Sequence, residues 1–512
     1  MSSVGGKVAT GATWMLGLRL FQRSMGLIST VILARLLVPE DFGLVAMAMA
    51  VYALVEILGA FGFDLALIRD QKAERLKYDT AWTLNIAYKT LGAIGMVIAA
   101  PIVADFFGDP RVEAVLYAFA LIAFLNGLEN IGIVAFRKDL AFSKEFAFQF
   151  TKAFGRVAVT ISSAFILQNY WALVIGSLAG AIIGLVLSYL LHPFRPKLSL
   201  SESKSLFSFS VWILLNNFAM YGHQRGGDLI VGHMSGAASL GAFRVSTDIA
   251  KLPTANLYAP IMNAVFPGFA KIVHDLARLR RAYLLAQGVV TTVTVPAALG
   301  IASVAEPLVW ALLGENWLVT IPLIQVLALA GALGILQSTR HSLFMALGKP
   351  YLVFVFMLAN VFIALPLLAF LLSMGVELHR AVWANVVALL ILMPAGTYVV
   401  SHFLELRVLA FLGVIWRPVI AGAAMTTVLL YTQNVLPEIS GLAVSLMQLA
   451  VLVPLGFLFY GGLLLALWLG CGRVEGAESW LIEVAMSRGI LIKKIGNKLL
   501  HPDSSRAYND EI

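Results

Sequence analysis

The chain has 512 residues, of which 60% are hydrophobic and 12% are charged. Soluble globular proteins carry about 25% charged residues, so this composition excludes an ordinary soluble domain and indicates a protein solvated mainly by lipid. The net charge of +8 comes from basic residues scattered over short loops between apolar runs, which argues against nucleic-acid binding. Cys471 is the single cysteine, so one chain can form neither a disulfide nor a multi-thiolate metal site.

Fourteen apolar stretches follow one another along the chain, each long enough to cross a hydrocarbon core of about 30 Å as a helix. The tight turn at 37–43 makes the first two antiparallel neighbours. The pattern between Pro307 and Pro322 leaves the start of the tenth span open. The predicted spans are 8–35, 41–64, 79–105, 112–136, 145–168, 170–191, 206–233, 238–269, 280–304, 318–340, 351–374, 380–402, 409–432 and 442–469.

Loop charges alternate along the chain and predict the orientation. Every second loop is basic, and these loops hold Arg69, Lys72, Arg75, Lys77, Arg137, Lys138, Lys144, Arg195, Lys197, Lys204, Lys271, Arg278, Arg280, Arg281, Lys349 and Arg407. The intervening loops offer only Arg35, Arg111 and Arg380. By the positive-inside rule, the basic loops and both termini are cytoplasmic.

An internal repeat divides the chain. Trp14 and Gly43 are separated by the same interval as Trp212 and Gly241, and each pair brackets a helix, a short turn and the next helix. Six spans precede the second copy, so both copies enter the membrane in the same direction, as in transporters whose lobes are related by an axis along the membrane normal. The predicted organisation is a first lobe 1–191, a cytoplasmic linker 192–205, a second lobe 206–402, two additional spans 403–470 and an amphipathic cytoplasmic tail 471–512.

The opening of the chain resembles a known family. The runs Gly11-Ala12-x-Trp14 and Ile32-Leu33-Ala34-Arg35-Leu36-Leu37-x-Pro39-Glu40-Asp41-Phe42-Gly43 are similar to the start of Wzx-type bacterial polysaccharide flippases, within the multidrug/oligosaccharidyl-lipid/polysaccharide superfamily. Leu240-Gly241-Ala242-Phe243-Arg244 and Phe266-Pro267 resemble that family's eighth span. The resemblance covers roughly residues 8 to 470.

The resemblance implies a non-enzymatic membrane protein of the bacterial inner membrane. Such a protein moves undecaprenyl-pyrophosphate-linked oligosaccharide units from the cytoplasmic to the outer leaflet, for exopolysaccharide, capsule or O-antigen (lipopolysaccharide) synthesis. Its implied partners are the lipid-linked oligosaccharide, membrane lipids and the polysaccharide polymerase and export machinery. The substrate sugar varies within the family, so the resemblance does not identify the glycan.

Intramembrane polar residues are the candidate site, because a charge inside the bilayer must face water or a partner. Arg19 and Arg23 lie one turn apart on the first span, which has no nearby acid to neutralise them. Arginine suits phosphate, since its planar fork makes paired charge-assisted hydrogen bonds. The predicted cationic cavity between the lobes therefore has these substrate-binding residues: Arg19, Arg23, Lys89, Arg225, Asn217 and Tyr221.

Energetic coupling needs ionisable acids if an ion gradient drives transport. The candidate ion-coupling residues are Glu56, Asp64, Glu129 and Asp228. Three of them have a structural alternative. Glu56 and Glu129 could instead be partners of nearby cations, and Arg225 and Asp228, three residues apart, could neutralise each other within one helix.

Other motifs predict no catalytic residue, metal site or cofactor. Gly348-Lys349 is followed by Pro350 and lacks the upstream glycine of a nucleotide-binding loop, and no His/Asp/Glu set has metal-ligand spacing. Two other functions remain open: a drug or small-solute antiporter of the same superfamily, and a membrane-embedded polysaccharide polymerase or ligase. The first would need a smaller cavity with a cation site, and the second a large outward loop, whereas the outward loops here are short.

Overall fold

The computed structural model describes most of the chain as helices joined by short turns, and no strand occurs in that described part. Nine of the described helices are long and apolar enough to cross a membrane, or ten if one bent pair counts as a single span. The prediction of an all-α membrane protein is confirmed. The described residues are 4–58, 63–70, 74–203, 211–252, 265–439, 441–472 and 476–481.

The helices of the predicted first lobe are α1 (Val4–Leu36), α2 (Pro39–Leu58), α3 (Phe63–Arg69), α4 (Arg75–Phe107), α5 (Arg111–Gly127), α6 (Val134–Lys138), α7 (Phe142–Leu167) and α8 (Trp171–Leu191). Pro39 occupies the first position of α2, where its missing N–H is not needed and its fixed φ already suits a helix. Gly108 ends α4 in the left-handed conformation, with φ 68°.

The helices after the linker are α9 (Val211–Ala250), α10 (Leu276–Ser303), α11 (Ala305–Leu312), α12 (Thr320–Leu336), α13 (Ser338–Ala346), α14 (Pro350–Ser373), α15 (Leu378–Ala381), α16 (Trp383–Leu404), α17 (Val408–Val435) and α18 (Leu442–Gly470). α9 contains residues 211–233 of the seventh predicted span, 206–233, and residues 238–250 of the eighth, 238–269. Its two halves meet at Gly236, whose φ of 78° and ψ of 179° break the helical path. Glycine adopts this conformation without the steric penalty of a Cβ atom.

Two spans are interrupted or longer than predicted. α5 ends at Gly127, and the chain then bends by 64° into the segment that continues to Lys138. The bend is held by Asn130, whose backbone N–H donates to Ser188 Oγ (2.9 Å) and whose side chain accepts from Gly132 N (2.9 Å). The tenth span continues past its predicted end at 340, because α13 follows α12 directly and runs to Ala346.

The two lobes meet where α2 packs along α9, and the repeat explains how. Gly43 and Gly241, the equivalent glycines of the repeat, lie against each other. A Cβ built on Gly43 would lie 1.7 Å from the carbonyl oxygen of Ala237, and one built on Gly241 would lie 1.8 Å from that of Pro39. Equivalent residues that touch lie on the symmetry axis relating the repeats. This contact is the one expected at the pseudo-twofold axis that the repeat predicts between the lobes.

The segment predicted to be a linker lies along the first lobe instead of crossing open solvent. Its backbone donates from Lys197 N to Asp79 (2.8 Å) and from Ser199 N to Thr83 Oγ1 (2.9 Å), while the carbonyl of Phe194 accepts from the Asn130 side chain (2.6 Å). These bonds hold residues 194–199 against α4 and the bend after α5.

The two additional spans pack on the second lobe. Tyr460 of α18 donates to the carbonyl of Thr292 on α10 (2.8 Å). Within residues 476–481 of the tail, the side chain of Glu478 pairs with Arg417 of α17 (3.3 Å), and both side chains are nearly inaccessible. The rest of the predicted amphipathic tail, from 482 on, lies outside the described residues.

Candidate functional site

The turn between α1 and α2 contains the Pro-Glu-Asp-Phe-Gly motif, and its acids tie three helices together. Asp41 accepts from the backbone N–H of Val38 (3.1 Å) and from that of Tyr170, at the start of α8 (2.8 Å). Glu40 pairs with Arg111 at the start of α5. The motif thereby anchors the beginning of α2 to the rest of the first lobe.

The last two residues of the motif contact the other lobe. Phe42 packs edge-to-face on Trp317, with ring centroids 5.1 Å apart, and the Trp317 indole N–H donates to the carbonyl of Ala34 (2.7 Å). Gly43 makes the crossing with α9 described above. Arg35 adds a hydrogen bond to the carbonyl of Ala311 (2.5 Å). These contacts close the lobes on the side of the membrane where this turn lies, here called the turn side.

Arg19 and Arg23 occupy different environments. Arg19 is exposed on α1. Arg23 is half-buried and donates from Nη2 to the carbonyl of Leu252 in the second lobe (3.2 Å). Within the described part of the chain its Nε is buried without a hydrogen-bond partner. Arg23 therefore reaches the lobe interface, with one N–H still available.

The repeat-equivalent residue, Tyr221, also bonds across the lobe interface. Tyr221 is buried, and its hydroxyl donates to the carbonyl of Ala50 on α2 (3.1 Å). The first lobe thus reaches the second through Arg23, and the second reaches the first through Tyr221. Asn217, one turn earlier on α9, is half-buried and has a polar or electrostatic contact of its own.

The remaining predicted residues of the first lobe form ion pairs with each other. Lys89 pairs with Glu56, and Glu129 pairs with Lys152 of α7. The structure therefore favours the alternative in which both acids are partners of cations. The side chain of Asp64 lies outside the described set.

Asp228 is the centre of a charged cluster on α9. Its carboxylate lies 3.1 Å from Arg225 Nη1 and 3.6 Å from Arg244 Nη1, and Arg244 also approaches Asp248 (3.6 Å). The predicted neutralisation of Arg225 by Asp228 is present, but Arg244 shares the same acid. Asp228 is almost inaccessible, with 2% of its side chain exposed.

A cavity of about 560 Å³ lies within the second lobe, between α9, α12, α13, α14 and α16. This is the size range of small-molecule sites in proteins. Its charged lining residues are Asp228, Arg244, Lys251 and Arg340, so basic groups outnumber acidic ones. Its uncharged polar lining residues are His223, Gln224, Thr247, Gln337, Ser338, His341, Asn360 and Asn385. A site with cations and many amides can bind an anion that also carries hydroxyl groups.

Sequence reasoning placed the site between the lobes and missed this cavity within the second lobe. The cavity is lined by none of the six predicted substrate-binding residues, Arg19, Arg23, Lys89, Arg225, Asn217 and Tyr221. Arg23 nevertheless binds Leu252, the residue next to the cavity residue Lys251. The signal for the missed part was the polar run Gln337-Ser338-Thr339-Arg340-His341. The predicted tenth span ended at 340, which made this run resemble the end of a helix.

Outside the membrane, His192 follows α8 and packs close to Gly132. Its Nδ1 accepts a hydrogen bond from the backbone N–H of Phe194 (3.2 Å). Burial lowers the pKa of the His192 imidazole, and the positive charge of Lys144 acts in the same direction. Both favour the neutral ring that this hydrogen bond requires.

The sequence model of a family described as polysaccharide biosynthesis protein matches residues 32–322. The lipopolysaccharide biosynthesis protein WzxC of Escherichia coli K12 is 24% identical over 370 residues, covering 70% of this chain and 74% of WzxC. The succinoglycan biosynthesis transport protein ExoT of Rhizobium meliloti is 26% identical over 310 residues, covering 58% of this chain and 61% of ExoT.

Among solved structures, the lipid II flippase MurJ in an inward closed conformation superimposes with a TM-score of 0.70. The match covers 90% of this chain and 99% of that one, at 14% identity. At this identity the likeness establishes the fold, which is that of a two-lobed membrane transporter with fourteen helices.

Proposed function

Because the chain belongs to the polysaccharide biosynthesis protein family, we propose that it is a flippase for lipid-linked oligosaccharides. In this proposal, an undecaprenyl-pyrophosphate-linked repeat unit passes from the cytoplasmic to the outer leaflet of the bacterial inner membrane. The protein's termini are cytoplasmic, its turn side faces outward, and polymerase and export proteins use the product. The names of WzxC and ExoT, which refer to polysaccharide biosynthesis and transport, support this class of substrate.

One observation carries the proposal: a net-cationic cavity, with twelve charged or polar residues in its lining, lies among helices whose outer surfaces are apolar. Lipid does not dissolve a glycan or a pyrophosphate, so both need a wet, polar path across the membrane. The cavity offers cations for the phosphates and amides for the sugar hydroxyls. At about 560 Å³ it holds only part of a lipid-linked oligosaccharide, so the polyprenyl tail must remain outside it.

The lobe contacts suggest how access alternates. On the turn side, the Gly43–Gly241 crossing and the Trp317 bonds hold the lobes together. Release of the substrate on that side requires these contacts to break as the lobes rock apart. The hydrogen bond from Arg23 to the Leu252 carbonyl links the lobes beside the cavity residue Lys251, so it must also rearrange.

Arg19 and Arg23 remain our candidates for the first lobe's contribution to pyrophosphate binding. Arg23 supports this role best, because its Nε is buried and makes no hydrogen bond within the described chain. An anion entering between the lobes could bind this N–H and replace the Leu252 carbonyl. Arg225 and Lys89 are held in ion pairs, so they can contribute only if those pairs open.

Coupling to an ion gradient is a separate part of the proposal. Asp228 is the acid best placed for it, because it borders the cavity and contacts two arginines whose positions depend on its charge. Protonation of Asp228 would release Arg225 and Arg244 for substrate. Flipping that is indifferent to both membrane potential and pH gradient would remove this coupling.

The function can be tested in proteoliposomes containing a fluorescent undecaprenyl-diphosphate oligosaccharide, with a membrane-impermeant quencher reporting its arrival in the opposite leaflet. We expect translocation to depend on the protein and to fall about tenfold in Lys251→Gln, as for the loss of one charge-assisted hydrogen bond. Arg380→Gln is the matched control, because Arg380 is 72% exposed on the short helix α15. A wild-type protein that moves no lipid-linked oligosaccharide would contradict the proposal.

A drug antiporter of the same fold is the second candidate. It predicts transport of hydrophobic cations, which the net positive lining of the cavity disfavours. Competition settles the choice. An amphipathic cation that inhibits flipping at micromolar concentration and is itself accumulated would favour the antiporter, whereas inhibition by a soluble sugar diphosphate would favour the flippase.

A further inference from the structure

Arg340 is the one charged residue that the helices beyond α9 contribute to the cavity lining. It lies on α13, against α14 and α16. The other charged lining residues, Asp228, Arg244 and Lys251, lie on or directly after α9. The cavity therefore has two separate cationic regions: the α9 cluster beside the lobe interface and Arg340 within the second lobe.

The contacts of Arg340 are all neutral. Its Nη2 donates to Gln337 Oε1 (2.6 Å), its Nη1 donates to the carbonyl of Leu392 (3.4 Å), and its guanidinium lies 4.3 Å from the ring centroid of Phe356. No acid lies within ion-pair distance of it in the described part of the chain. The local bonds use two of its five N–H groups and leave the others for a ligand.

The sequence explains why no protein counterion is present. There is no aspartate or glutamate between Glu315 and Glu377, nor between Glu377 and Glu405, so the membrane-spanning parts of α12, α13, α14 and α16 carry no acid. On α9, Asp228 already contacts Arg225 and Arg244. A cation inside a membrane domain without a counterion is costly and marks a functional site.

We propose that Arg340 binds the carboxylate of an acidic sugar, and that the substrate is therefore an acidic lipid-linked oligosaccharide. This inference rests on the proposed flippase function. The planar guanidinium can bind one carboxylate through two parallel hydrogen bonds. Gln337 and Leu392 hold two of its nitrogens in place, and Phe356 supports its face.

The carboxylate fits Arg340 better than the diphosphate does, because the charges match. A diphosphate diester carries two negative charges. The cavity wall beside the lobe interface has two cations for them, Arg244 and Lys251, with Arg23 of the first lobe nearby, and Arg244 becomes available when its contact with Asp228 opens. Arg340 carries one positive charge. Its surroundings, Gln337, Ser338, Asn360 and Asn385, are groups that hydrogen-bond sugar hydroxyls.

The test compares two substrates that share one lipid diphosphate and differ in one sugar, glucuronic acid against glucose. Both are fluorescently labelled and assayed in proteoliposomes of the full-length protein. We expect Arg340→Gln to slow transport of the acidic substrate about tenfold or more and to change transport of the neutral one less than about twofold. Arg340→Lys should restore part of the acidic transport, because it keeps the charge without the fork. Arg380→Gln is the control.

A second variant moves Arg340 without removing it. A Cβ on Gly396 would lie 1.7 Å from Arg340 Nη1, so Gly396→Ala must displace the guanidinium. We expect it to reduce acidic transport selectively, as Arg340→Gln does. Equal losses for the two substrates in Arg340→Gln would overturn the inference and assign this residue to the diphosphate. Failure of the wild-type protein to move either substrate would instead overturn the flippase function.

Discussion

The glycine crossing on the pseudo-twofold axis makes a direct prediction about alternating access. Gly43 and Gly241 allow the backbones of α2 and α9 to touch on the turn side, and no side chain fits there. We expect Gly241→Ala, and equally Gly43→Ala, to open the turn side while leaving each lobe folded. The reason is that the new methyl group meets backbone of the opposite lobe, which cannot rotate away as a side chain can.

The size of the effect follows from the geometry. A Cβ on Gly241 would lie 1.8 Å from the Pro39 carbonyl oxygen, whereas real Cβ atoms essentially never approach a heavy atom within 3.0 Å. The helices must therefore separate by about 1.2 Å, the difference between these distances. Overpacking of this kind costs about 1–3 kcal/mol. If that penalty falls on the closed state alone, it shifts the equilibrium towards the open state by about 5- to 150-fold.

The assay is the reactivity of a cysteine at position 50, in a Cys471→Ser background. Ala50 is fully buried at the lobe interface, where its carbonyl accepts from Tyr221. A charged, membrane-impermeant maleimide added on the turn side should label this cysteine faster in Gly241→Ala than in the parent, by a factor within the range above. Gly26→Ala is the control, because a Cβ there would meet nothing within 4 Å.

The reasoning would be refuted if both glycine variants were labelled at the same rate as the parent. Both variants must have normal membrane levels and normal thermal stability for this comparison. The turn side would then be closed by the Trp317 contacts or the Arg35 bond, which the glycine changes leave in place.

Three further predictions concern other parts of the chain. Alanine at Arg19 or Arg23 should abolish glycan export at matched membrane levels, with partial rescue by lysine; normal export by the double alanine variant would make both residues structural. Arg417→Ala leaves the buried Glu478 carboxylate unpaired and should lower the free energy of unfolding by about 3–5 kcal/mol. The double variant Arg417→Ala/Glu478→Ala should recover part of this loss. Thermal unfolding of the purified protein measures both effects. Because burial lowers the pKa of His192, the folded protein binds fewer protons than the unfolded chain. The stability of the folded protein should therefore be lost as pH falls below about 6.5. The variant His192→Asn should flatten this pH dependence in thermal unfolding measured between pH 8 and pH 5.

The candidate site was predictable from sequence in its chemistry but not in its location. Cationic groups with amides were expected, and the cavity has them. The first lobe was given the central role because Arg19 and Arg23 have no acid on their own helix. Looking for a cation without an acid on its own helix would also have selected Arg340 in the tenth span. The membrane-spanning parts of α12, α13, α14 and α16 contain no aspartate or glutamate. The run around Arg340 was instead read as a helix end.

Ion pairing shows the same limit. Glu56 and Lys89 are 33 residues apart in the chain, too far for a single helix to bring them together. They nevertheless form an ion pair, between α2 and α4. Glu129 and Lys152 pair between the end of α5 and α7. Sequence offered both roles for these acids, partner of a cation or carrier of an ion, and only the positions of neighbouring helices distinguish them.

The sequence by itself determined that this protein is a helical membrane protein and where most of the described spans lie, and it predicted that two copies of one unit build it. The membrane spans follow from the favourable transfer of runs of apolar side chains into lipid, and the repeat follows from the equal spacing of Trp14–Gly43 and Trp212–Gly241. Both signals can be seen in the order of residues along the chain. Only the tertiary structure decided that the equivalent glycines touch, which cations have counterions, and that the cavity lies inside the second lobe. The physical reason is that lipid gives every apolar helix face a similar solvent, so the choice of helix neighbours rests on close packing and polar contacts between residues far apart in the chain.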